Sequence, residues 1–184
     1  MPIPTFLEAI RRNHALEHAT VAVLAQKWPR KTLAGHSNPA GFVLYGAMET
    51  DEVRQAAQEA LERLQNGERA LALSPFCGTN MLVTGALTAV ATLVAMGREV
   101  RLSRLPRAVA AATWAVAAAQ PVGLMIQSYV TTSMEVQGLE VTSVRRLQRG
   151  GTIAHWVRTA DRGISGSLTP SRADAILGAN TMSL

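Results

Sequence analysis

The apolar positions near the start of the chain recur at a helical spacing. Leu7, Ile10, His14, Glu17 or His18, Val21 and Leu24 or Ala25 follow at steps of three and four, which lines one side of a helix and predicts that this side is buried. The pattern then shortens. GFVLYG at 41–46 reads as a strand, and TDEVRQAAQEALERLQNG at 50–67 as a charged helix, with Thr50 as N-cap, acids in the first turn and Gly67 as the stop. ERALALS at 68–74 is predicted as a further strand. Two charge-free runs follow, MLVTGALTAVATLVAMG at 81–97 and AVAAATWAVAAAQPVGLMIQSYV at 108–130. The first, with the CGTN before it, approaches the ~20 residues that cross a bilayer, and the second reaches that length. Between them Arg98, Arg101, Arg104 and Arg107 meet only Glu99. VTTSMEV and LEVTSVRRL then alternate as strands around a Gly138 turn, and the segment from His155 mixes a strand with a Gly/Ser-rich tail. There is no internal repeat.

These elements predict an α+β fold, a small helix/strand domain with a two-helix transmembrane hairpin inserted. Residues 1–80 form the first part, 81–130 the hairpin, 131–165 the strands that complete the α+β part and 166–184 a flexible tail. Pro121 is expected to kink the second spanning helix, and Gln120 to need a partner inside the bilayer. The competing reading of the two runs is a pair of buried helices in a soluble core.

Composition narrows the choice. In 184 residues, aromatics are 4% and hydrophobic residues 48%, so the apolar content is largely Ala, Val and Leu, which suits packed helices better than a sandwich. The net charge of +5 and pI near 10.3 are compatible with nucleic acid or with an anionic membrane surface. The basic residues flank apolar runs and are not interleaved with exposed aromatics, which favours the lipid bilayer as partner over nucleic acid.

Chemistry enters with NHALEHAT at 13–20. His14 and His18 are one turn apart, so both imidazoles reach a common point, and Glu17 lies on nearly the same side. In this H-x-x-E-H order two histidines hold zinc and the glutamate handles protons. Three titratable groups on a buried stripe are costly unless paired or bound to a metal; a hydrogen-bonded cluster on an exposed helix edge is the alternative. Two histidines need a third ligand. Cys77, the one cysteine, lies in SPFCGTN, with Thr79 or Asn80 placed to cap the following helix. A helix N-terminus lowers a thiol pKa and favours the metal-binding thiolate, whereas an inert core cysteine is the bland reading. His36, in the Gly/Pro/Asn-rich AGHSNPAGF loop, competes for the third position.

HALEHAT followed by P-x-C-G-T-N resembles a family of uncharacterised bacterial membrane proteins that carry an H-x-x-E-H helix, then GHSNPAGF-like and PFCGTN-like segments ahead of membrane-spanning helices. The resemblance runs from about residue 10 to about residue 145 and implies a metallohydrolase. Relatives often carry a histidine before the motif's proline, where this chain has Ser74. The inverzincin peptidases share H-x-x-E-H but take a downstream glutamate as third ligand, for which Glu49, Glu52, Glu59 and Glu62 are available.

The resulting expectation is a membrane-anchored, peptidase-like zinc metallohydrolase. His14, His18 and Cys77 hold Zn²⁺ and leave a position for water, whose proton Glu17 takes and later returns, acting on a membrane-proximal peptide or lipid-linked amide. The alternative is a non-catalytic membrane protein with a structural or metal-handling site, closed by His36 or a carboxylate. A third reading is a membrane-surface scaffold without metal. Two topology rules disagree: the Arg-rich loop favours itself as cytoplasmic, while the free cysteine and the lack of a visible signal peptide favour the globular part there. Export of a folded N-terminal unit without a signal is the harder event, so the globular part is placed on the cytoplasmic side of a bacterial inner membrane.

Overall fold

A computed structural model describes residues 5–98, 101–149 and 151–162. Helix α1 (Thr5–Lys27) leads into the hairpin of β1 (Ala34–Asn38) and β2 (Gly41–Tyr45), then helix α2 (Thr50–Gln65) and a 3-10 turn at Arg69–Ala72. Helices α3 (Gly78–Met96) and α4 (Leu105–Ile126) follow, α4 continuing as a π-helical turn through Gln127–Thr131. Strands β3 (Leu139–Arg149) and β4 (Thr152–Asp161) complete a four-stranded antiparallel sheet in the order β1-β2-β4-β3. The fold is therefore α+β.

The first core follows from the helical stripe. Leu16, Val23 and Leu24 of α1 are fully buried, as are Phe42 of β2 and Val157 of β4, and Val53, Ala57 and Ala60 bring α2 onto the same cluster. Each large side chain removed from water contributes roughly 1.5–3 kcal/mol, and the alanines of α2 let two helices and a sheet share one small core.

The hairpin is built the other way round. Met81, Leu82, Leu93 and Val94 of α3 and Trp114 and Val116 of α4 are exposed, while α3 and α4 pack mainly on each other. Both helices are long and apolar enough to cross a membrane. Pro121 lies inside α4 as expected, but Gln120 is exposed, and the buried amide is Gln127, about two turns later.

Several local expectations are corrected. ERALALS is not a strand: Arg69 N–H bonds to the Gly67 carbonyl and Leu71 N–H to that of Glu68, local bonds of a 3-10 turn that take the place of a ladder. VTTSMEV is not a strand either, because α4 overruns into it and the Thr132 N–H and hydroxyl both turn back to the Gln127 carbonyl, at 2.9 and 2.7 Å. AGHSNPAGF is a β-hairpin and not a loop, its turn held by the Asn38 side chain accepting from Ala40 N–H at 2.8 Å. The cap of α2 is Glu49, whose N–H donates to the Glu52 carboxylate at 3.0 Å, with Thr50 already helical. His155 lies in β4 as a strand residue. Glu99 and the tail at 166–184 lie outside the described residues.

Candidate metal centre

Helix α1 delivers three of the predicted residues to one place. His14 is half-buried, and Glu17 and His18 are buried. The His14 Nδ1 lies 2.9 Å from the Thr131 carbonyl oxygen and the His18 Nδ1 lies 2.8 Å from that of Ala72. A carbonyl only accepts, so each Nδ1 carries the proton and each Nε2 presents a lone pair. Backbone carbonyls thus select the tautomer, the role that outer-shell partners play for metal-ligating histidines.

The third donor comes from the head of α3. Cys77 is itself the N-cap, with Gly78 the first helical residue, so the expected caps Thr79 and Asn80 are one turn inside. Its Sγ lies 3.4 Å from the His14 Nε2, and one donor atom from each of His14, His18 and Cys77 falls within 4.8 Å of the others. Tetrahedral zinc with Zn–N near 2.0 Å and Zn–S near 2.3 Å separates N and S by about 3.5 Å, so the trio fits such an ion. Burial alone would push the Cys77 thiol up, but hydrogen bonds from His14, His18 and Thr79 outweigh it and bring it down to about 5. Burial alone would lower His14, and its bonds to Cys77 and Thr131 raise it instead. The Cys77 shift favours the thiolate, the form that binds a metal, and a cation between it and the His14 Nε2 can take the place of the proton the two would share.

Glu17 shares the cleft without joining the trio. Its Oε2 accepts a hydrogen bond from the Ser37 hydroxyl, and the other side of the carboxylate rests against Gly35, where an added Cβ would stand 2.2 Å from Oε1. Gly35 is thus needed for close approach, not for a special backbone angle. The cleft holds about 490 Å³, with α1 as floor, Leu33 to Ser37 along one wall and Ser74 to Thr79 along the other.

Strand alternation turns His36 away from the face that carries Gly35 and Ser37; it is exposed and does not join the three converging donors. The acidic candidates are engaged elsewhere: Glu49 and Glu52 at the start of α2, Glu59 with Lys27 at 2.6 Å, and Glu62 on a different surface depression. Sequence reading missed Gly35, Ser37 and the polar lock that holds the cysteine segment. Gln127, fully buried, donates to the Ser74 carbonyl at 2.9 Å and to Asn80 Oδ1 at 3.0 Å, and accepts from Ser74 N–H at 3.0 Å. Asn80 in turn donates to the Pro75 carbonyl at 2.9 Å and fits only because Gly123 faces it, since a Cβ there would meet its Oδ1 at 1.9 Å. An amide in an apolar run was the available signal, and Gln120 drew it first.

Residues 9–144 match the family described as Domain of unknown function (DUF6391). The chain belongs to this family. The matched stretch contains every residue of the site, from His14 to Thr131. The chain is also 34% identical over 163 residues to an uncharacterized protein of Picosynechococcus sp., covering 81% of this chain and 78% of that one. No solved structure matches it.

Proposed function

We propose that this DUF6391 member is a membrane-anchored zinc metallohydrolase of peptidase type. His14, His18 and Cys77 are the residues that hold the ion, and Glu17 is the general base. One observation carries the reading: two histidines with tautomers selected by backbone carbonyls converge with a cysteine, the His14 Nε2 3.4 Å from its sulfur, while the glutamate of the same helix turn is held beside them by Ser37 outside the converging trio. Three donors, none of them Glu17, leave room for a reacting group.

Zinc at this position supplies Lewis acidity, polarising a carbonyl and acidifying water to a pKa of about 7. The residues do the rest. Ser37 orients the Glu17 carboxylate, Glu17 accepts the proton of the attacking water and returns it to the leaving amine, and the Thr131 and Ala72 carbonyls keep both rings turned inward. The head of α3 carries the thiolate, and α3 and α4 are read as crossing a bacterial inner membrane, which sets the cleft at the bilayer surface. Phe76, 90% exposed beside Cys77, sits at that boundary. A membrane-proximal peptide is the substrate that suits this place, with the globular part cytoplasmic.

The test is zinc content paired with peptide hydrolysis for wild type and Glu17→Gln in detergent. Gln keeps the shape and cannot take a proton, so zinc near one per chain is expected to persist while hydrolysis falls roughly 10²- to 10⁴-fold. Loss of zinc in Glu17→Gln would instead favour a structural or metal-handling site.

A further inference from the structure

We infer that the open edge of β1 is the binding rail for substrate: an extended polypeptide adds to it as a fifth strand, hydrogen-bonded to the backbones of Gly35 and Ser37. This rests on the reading of the cleft as a peptide-hydrolysing centre, and it names how that centre takes its substrate.

Among the described residues, the strand order leaves β1 and β3 as the two edges. Register decides which backbone groups β1 turns outward. Gly46 N–H bonds to the Ile153 carbonyl and Thr159 N–H to the Ala40 carbonyl, both at 3.0 Å, so the even-numbered positions of β2 bond toward β4. Gly41, Val43 and Tyr45 therefore bond toward β1, where their partners are Asn38, His36 and Ala34. Gly35 and Ser37 are left with N–H and C=O directed away from the sheet. Among the described residues, none bonds to these four groups.

The two edges are treated differently. β3 carries Glu140, Arg145 and Arg146 and is bent by a register shift between Val141 and Ser143, devices that discourage pairing. β1 reads AGHSN, with no lysine, no proline and no bulge. Its bare edge is also the edge that walls the cleft.

Gly35 and Ser37 are the same two residues that touch the Glu17 carboxylate. A strand laid ~4.8 Å beyond β1 would carry its carbonyl groups past Glu17 and the His14, His18 and Cys77 donors. Recognition would run through the main chain, with Val21 and Leu33 offering apolar contact to alternate side chains.

The experiment uses the full chain in nanodiscs of phosphatidylethanolamine and phosphatidylglycerol, with end-blocked octapeptides of Leu, Ala and Ser as probes. Binding is measured across a scan in which each peptide N–H is methylated in turn. The expected profile has a period of two: methylation at alternate positions weakens binding about tenfold, the worth of one hydrogen bond, and at the intervening positions hardly at all. Ser37→Ala and Ser37→Pro are compared as a pair, since both lose the hydroxyl and only Pro loses the outward N–H, at an edge position where Pro is tolerated. The Pro variant is expected to bind about tenfold more weakly than the Ala variant. A flat methylation profile, equal binding by the two variants, or no binding by any octapeptide overturns the inference. Running the scan on both zinc-loaded and zinc-stripped protein separates it from the metal reading: a period of two in both, with the zinc-loaded protein hydrolysing none of the unmethylated octapeptides, supports the rail while the hydrolytic reading falls.

Discussion

Helix α1 and the head of α3 both bring donor atoms to one cleft, and the two helices are built by opposite rules. α1 buries Asn13, Glu17, His18 and Thr20 beside its leucines, and each polar group has a partner: Asn13 donates to the Asn38 carbonyl at 2.8 Å and accepts from the Thr159 hydroxyl at 2.7 Å, and Thr20 donates to the Leu16 carbonyl at 2.7 Å. α3 buries only Asn80 and Ala95 and turns Met81, Leu82, Leu93 and Val94 outward. Apolar area left in water costs about 25 cal/mol per Å², which is the ground for reading α3 and α4 as lipid-embedded. Hydrophobic content alone thus does not say which helix is core. The satisfied polar groups mark the inside of the protein, and the unaccompanied apolar ones mark the surface proposed to meet lipid.

The comparison can be broken at its most polar point. Gly35→Ala places a methyl against the Glu17 carboxylate, the end of a flexible side chain, so the fold should survive while the base is displaced. Hydrolysis is expected to drop about 10²-fold, as for a small misplacement of reacting groups, with zinc content and Tm little changed; colorimetric zinc assay and calorimetry check both.

Next come paired substitutions on the two helices. Leu16→Ala, at a fully buried site, should cost about 2–5 kcal/mol in detergent unfolding, and Leu93→Ala, at an exposed one, less than about 0.5 kcal/mol. Val90→Arg, at an exposed position nearer the middle of α3, should reach a cost comparable to Leu16→Ala in membranes, because a charge at the centre of a spanning helix costs about 2.5–3.5 kcal/mol, and loss of resistance to carbonate extraction is the readout. Equal cost for both alanine variants would place α3 in an ordinary core.

The joint between the two regions is Gln127. Gln127→Leu leaves the Ser74 backbone groups and Asn80 buried without that partner, expected to cost about 1–3 kcal/mol and to weaken zinc affinity about tenfold by loosening the Cys77 segment. Zinc titration of purified protein checks it.

The smallest expected effect is a pH dependence. His155 is fully buried, neither ring nitrogen has a hydrogen-bond partner among the described residues, and burial with nearby Arg146 lowers its pKa against a weaker opposite pull from Glu49. The folded state therefore favours the neutral ring, so stability is full above the unfolded value of 6.5 and falls as pH drops below it. Metal-free wild type should lose a few degrees of Tm between about pH 7.5 and 5, and His155→Leu should flatten that slope.

Much of this protein was legible locally. The turn-to-turn spacing of His14 and His18, the charged helix α2, the two charge-free runs and the place of Cys77 ahead of α3 all follow from hydrogen bonds and side-chain periods that act within a few residues. Such features need no knowledge of what packs where. ERALALS and VTTSMEV resisted because alternation over so few positions fits a strand equally well, and only the local bonds of the 3-10 turn and the bonds back to Gln127 decided otherwise. The site itself was half hidden. That Cys77 reaches a histidine 63 residues away depends on packing α3 against the end of α4 and the end of α4 against α1. The Thr131 and Ala72 carbonyls that turn both imidazoles inward carry no signal at all, since every residue has a carbonyl and tertiary structure alone chooses which ones face a ring.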